Sequence, residues 1–137
     1  MTEPLSILGV DAAGVGQPRN DGTPGSALYA VPIKLSRAPS FREGQFLVYH
    51  WDNPSSWSTM HRKGIARVVG DCLVLNGTTV EEVRDHHVGT LKQVVLASNQ
   101  SESEAAVAEK LALDAATARR RAHETTVEAV ASEIRFD

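Results

Sequence analysis

The chain has one cysteine, Cys72, among its 137 residues. That excludes an intrachain disulfide and a zinc site built from several thiolates. Cys72 lies in the apolar run CLVL, where a thiol acts as a small hydrophobe rather than a nucleophile. Aromatic residues are scarce, at 5%, so a core must be mostly aliphatic. No stretch approaches the roughly 20 apolar residues of a membrane-spanning helix. The opening MTEPLSILGVDAAG lacks a basic start and a long apolar run, so it does not read as a secretory leader. A cytoplasmic protein with no membrane partner is the expectation. A strong excess of one charge is lacking too, since the formal net charge is −3. A surface devoted wholly to nucleic acid is thereby excluded, although a local basic patch is not. The phosphate-loop pattern G-x-x-x-x-G-K-[ST], the dinucleotide pattern G-x-G-x-x-G and the nucleophile elbow G-x-S-x-G are all missing.

What is present suits one ordinary domain with an appendage. Hydrophobic residues make up 42% and charged residues 23%, near the globular average. Ile7, Leu8 and Val10 suggest a short strand. The turn formers QPRNDGTPGS (17–26) make a loop. ALYAVPIKLS follows as a second strand, with Tyr29, Val31, Ile33 and Leu35 on its apolar face. Pro32 lacks an N–H, which predicts a sheet edge or a bulge. Ser40 and Glu43 have capping-box spacing and predict a helix over 41–52, stopped before Pro54.

The runs IARVV and CLVL, split by Gly70-Asp71, predict a hairpin with a type II′ turn, ending at Asn76-Gly77. Thr78 with Glu81, and Thr79 with Glu82, mark the next helix start. Val80, Val83, His87, Leu91, Val94, Val95 and Ser98 recur at helical spacing, so 79–98 is the best-marked helix. SNQSESE then reads as a polar interruption. Residues 103–134 contain no Gly or Pro, are rich in alanine and have good helix propensity. Ala108, Leu111, Ala115, Ala118 and Ala122 alternate by three and four, as in a coiled coil, and form the candidate interface.

The order β-β-α-β-β-α predicts an α+β fold. A two-layer domain (1–98) has a four-stranded, mostly antiparallel sheet, and a long helical extension (99–137) follows.

The strongest binding candidates are Trp57, His61, Arg62, Lys63 and Arg67. A tryptophan beside basic residues on a loop suits stacking against a base or a partner's side chain. The competing expectation is that Trp51 and Trp57 fill the seam between the short helix and the sheet. Glu82 and His86 stand at i, i+4, half a metal site, but the pattern better fits a polar His86 beside a semi-buried His87. The dyads His61–Asp71 and His50–Asp52, with hydroxyls from Ser55, Ser56, Ser58 and Thr59, suggest an enzyme only faintly, because hydroxyls beside a proline usually mark turns. Arg119, Arg120 and Arg121 spread around a helix and alternate with acids, as on a solvated face. No catalytic residue, metal or cofactor is assigned.

The leading functional expectation is a non-enzymatic interaction or assembly module. Its terminal helix pairs with itself, as a homodimer, or with a protein partner. A nucleic-acid-binding module using the Trp/His/Arg surface comes second, and a small enzyme centred on His61 third.

Overall fold

The computed structural model describes residues 3–137. Four strands form one sheet: β1 (Ile7–Val10), β2 (Tyr29–Leu35), β3 (Ala66–Val69) and β4 (Cys72–Thr78). Their spatial order is β1-β2-β4-β3, and every neighbouring pair is antiparallel. The helices are α1 (Phe41–Asp52), α2 (Val80–Glu82) and α3 (Val88–Glu133), with a π-helical turn, Val83–His87, joining α2 to α3. This is an α+β fold with a long C-terminal helix.

Period-two alternation makes the sheet's inner face. Val31, Ile33 and Leu35 of β2 pack with Leu73 and Leu75 of β4 and with Ala66 of β3. Leu47 and Trp51 of α1, together with Val83, Leu91, Val94 and Val95, join the same cluster. Both helical stretches therefore cover one face of the sheet. Gly70 has φ of 59° while Asp71 does not have positive φ, the signature of the expected type II′ hairpin.

Pro32 departs from expectation, because β2 is a central strand. The physical reason lies at the end of β1. Backbone N and O of one strand residue point the same way, and the Pro32 carbonyl accepts from Asp11 N–H, one residue past β1. The missing donor of Pro32 thus falls beyond the β1 ladder and leaves no strand bond unmade. The register shifts lie elsewhere, at Ile7/Gly9 and Tyr29/Ala30. β4 also runs past Asn76 to Thr78, with Gly77 at φ 138°.

The polar stretch after Ser98 does not interrupt the helix, for α3 continues through it. Its polar side chains hold other elements instead. Asn99 accepts from Leu5 N–H and donates to the Leu5 carbonyl, both at 2.9 Å. Ser101 bonds His50 at 2.9 Å. Glu102 forms a two-pronged pair with Arg42, both bonds at 2.7 Å.

Contacts divide the chain into two compact units, the first ending at Glu102 and the second spanning Ser103–Asp137. The second unit has no core. Only Ala105 and Thr117 in it are partly covered. Its bulky apolar residues, Val107, Leu111, Leu113, Val127, Val130, Ile134 and Phe136, are all exposed.

Candidate functional site: a tryptophan–histidine cluster and its groove

The sequence carries few aromatics, and α1 spends one of its own inside the core. Trp51 is 0% exposed, whereas Trp57 is 58% exposed. Core filling thus holds for the first tryptophan and not for the second. The Trp51 indole N–H donates to the Arg62 carbonyl at 2.8 Å. His61 returns the contact: its Nε2 lies 2.8 Å from the Trp51 carbonyl. A carbonyl only accepts, so Nε2 carries the proton. This exchange closes the 53–60 loop against the end of α1. Asp52 adds to the closure by accepting from Gly64 N–H at 2.8 Å.

The rings then stack outward from the core. His61 lies on Trp51, centroids 4.1 Å apart and planes 28° apart. Trp57 meets His61 edge-on at 4.8 Å. His87, from the π-helical turn, meets Trp51 edge-on at 5.4 Å and faces His61 at 6.2 Å. Aromatic pairs in such geometries contribute about 1 kcal/mol beyond their buried area.

Polar satisfaction fails here. Among the described residues, the buried side-chain nitrogens and oxygens without a hydrogen-bond partner are Ser58 Oγ, His61 Nδ1, His87 Nδ1 and His87 Nε2. They belong to the loop that carries Trp57 and to the histidine that faces it. Unpartnered buried polar atoms cost about 1–3 kcal/mol each, so each of these calls for an explanation. The π-helical turn points the same way, since such insertions concentrate at functional sites. His87 is fully buried, and desolvation pushes its pKa below the usual 6.5, opposed in part by Glu82.

The expected binding residues divide. Trp57 and His61 are in contact. Arg62 is committed elsewhere: its guanidinium forms a two-pronged pair with Glu82, at 2.6 and 3.0 Å, and donates to the Gly77 carbonyl. Glu82 also accepts from the Thr78 hydroxyl at 2.8 Å. Arg62, first of all, holds the Glu82 carboxyl below its usual range. Lys63 is exposed. Arg67 sits on β3 and lines a separate shallow groove with Phe41, Val48 and Tyr49 of α1.

Neither histidine–aspartate dyad forms. Asp71 pairs with Lys34, and Asp52 bonds Gly64. Glu82 faces Arg62, and no three metal-ligating side chains converge among the described residues. Burial, first of all, pushes the Cys72 thiol up, which keeps it protonated at neutral pH.

The sequence did not reveal a groove of about 500 Å³ beside this cluster, lined by the 53–58 loop and one face of α3. His50, Ser58, Gly89 and Gln93 are among its walls. The signal was present but divided: a run of hydroxyls near Pro54 and a lone glycine inside a helical pattern.

The candidate interface on the terminal helix is exposed throughout: Ala108, Leu111, Ala115, Ala118 and Ala122 all face solvent. Its bulkier neighbours follow a different stripe. Leu113, Val127, Val130 and Ile134 are separated by 14, 3 and 4 residues, which places them on one 3.5-residue repeat. Ala116, Arg120 and His123 occupy the intervening positions of that stripe.

No family model matches this chain, and no curated protein or solved structure matches it either.

Proposed function

We propose that the protein is a non-enzymatic assembly module whose terminal helix pairs with the same helix of a second copy. One observation carries this reading: residues 103–137 expose six aliphatic side chains (Val107, Leu111, Leu113, Val127, Val130 and Ile134) and bury none. A helix gains most of its stability in proteins from packing an apolar face. Leu113 alone is 67% exposed, and covering a leucine contributes about 2 kcal/mol. Pairing two such helices at 3.5-residue spacing covers the stripe on both chains at once.

Sedimentation velocity over a concentration series tests this. The full chain is expected to give the mass of a dimer. Val127→Lys combined with Val130→Lys is expected to return the single-chain mass without altering the thermal midpoint of the first unit. A single-chain mass for the unaltered protein at every concentration would overturn the proposal.

A further inference from the structure

Helix α3 contains one glycine, Gly89. A glycine in a helix interior costs about 1 kcal/mol relative to alanine. Packing does not require it here, since a β-carbon added at Gly89 would meet nothing within 4 Å. The space above it is the groove of about 500 Å³, with the 53–58 loop as the opposite wall. That volume falls within the range of small-molecule sites.

The walls carry no charged side chain, and Pro54, Val94 and Ala97 add apolar surface. Asn53, Ser55, Ser56, Ser58, Thr90 and Gln93 bring amides and hydroxyls, and no aspartate, glutamate, lysine or arginine lines the groove. His50, the remaining titratable wall residue, has its Nε2 engaged by Ser101, and burial holds its pKa below the usual 6.5. The walls are therefore neutral at physiological pH. A charged guest would lose water and find no counter-charge, which is strongly unfavourable. A guest bearing hydroxyls or amides exchanges its water bonds for wall bonds.

From the neutral walls and the open space over Gly89, we propose that this groove binds a small uncharged molecule rich in hydroxyl or amide groups. Its rim carries the loop of Trp57 and His61, so occupancy tightens that loop and is read by Trp57. The site lies wholly within the first unit, on the part of α3 before Glu102, and does not depend on pairing by residues 103–137.

Matched neutral and charged probes test it on the full-length protein. Glucose, uridine and nicotinamide are compared with glucose 6-phosphate, uridine 5′-monophosphate and nicotinic acid in amide NMR titrations. At least one neutral probe is expected to shift Gly89, Thr90 and Ser55 saturably. Its charged counterpart is expected to bind at least about tenfold more weakly. Gly89→Leu fills the space while improving helix propensity. It is expected to abolish the shifts with the circular dichroism spectrum unchanged. Absence of saturable shifts with all three neutral probes would overturn the proposal. So would equal affinity for a charged partner, or undiminished binding to a folded Gly89→Leu protein.

Discussion

His87 is the residue where the fold runs against its own economy. Its ring is 0% exposed, and neither nitrogen has a partner. Desolvation disfavours the charged ring, so the folded-state pKa lies below 6.5. The unfolded chain therefore takes up the proton first as the pH falls. Stability from a neutral His87 is complete above about pH 6.5 and declines as the pH drops through the depressed folded value. His61, Glu82, His86 and Arg62 supply the charges that act on it. Glu82 alone favours protonation, and it is already held by Arg62. Urea midpoints measured from pH 7.5 down to pH 5 are expected to fall. The fall should be shallower in His87→Leu, whose midpoint at pH 7 is expected to equal or exceed that of the parent. Because burial depresses His50 as well, the difference between the two curves reports His87. Identical slopes would place the acid sensitivity elsewhere. Trp51 tests the other side of the cluster. Trp51→Ala removes the stack under His61 and the bond to Arg62, and is expected to cost about 3–5 kcal/mol. Trp57→Ala, at an exposed site with one edge-on ring contact to His61, is expected to cost about 1 kcal/mol. Equal losses from the two would contradict the assignment of one to the core and the other to the surface. Sequence alone left these two tryptophans equivalent, because burial depends on which side of the loop closure each residue falls.

Elements differ in how far local spacing fixes them. The start of α1 was legible at Ser40 and Glu43, because a capping box needs only residues three apart. Both halves are present: Ser40 Oγ accepts from Glu43 N–H, and Glu43 accepts from Ser40 N–H at 2.8 Å. The structure adds Arg37, which grips the buried Glu43 carboxylate at 2.8 and 2.6 Å and, as the largest cause, lowers its pKa to about 2. This contribution is complete above the ordinary value of 4.5 and is lost as the pH falls toward about 2. Ser40→Ala is expected to cost about 1 kcal/mol. Glu43→Ala is expected to cost about 2–3 kcal/mol, since it removes both the cap and the partner of Arg37. Denaturant unfolding at neutral pH checks the order of the two, and a larger loss from Ser40→Ala would contradict it. The start of α2 was equally legible: Thr79 Oγ1 accepts from Glu82 N–H. Illegible were the features set by distant partners. Pro32 is tolerated in a central strand because of where β1 stops. SNQSESE stays helical because serine, asparagine and glutamine are only mildly unfavourable in helices, and here three of its side chains reach Leu5, His50 and Arg42. The π-helical turn has no local signature in VRDHH, and it sets the ring of His87 against Trp51.

For the whole molecule, the two units are expected to differ in how they resist opening. The first has a sheet, a shared core and side-chain ties from Asn99, Ser101 and Glu102. Amides of α3 up to Glu102 should therefore exchange at rates set by global unfolding. Residues 103–133 are helical yet bury almost nothing, and in proteins a helix draws most of its stability from packing an apolar face. Their protection should arise from pairing, which couples it to protein concentration by mass action. Hydrogen exchange followed by mass spectrometry is expected to show slow amides before Glu102 at every concentration. Beyond Ser103, exchange should be fast in dilute solution and slower as the protein is concentrated. Val127→Lys with Val130→Lys should remove that concentration dependence and leave the first unit unchanged. Exchange beyond Ser103 that is slow at high dilution, or independent of concentration, would mean that the exposed aliphatic stripe does not hold two helices together.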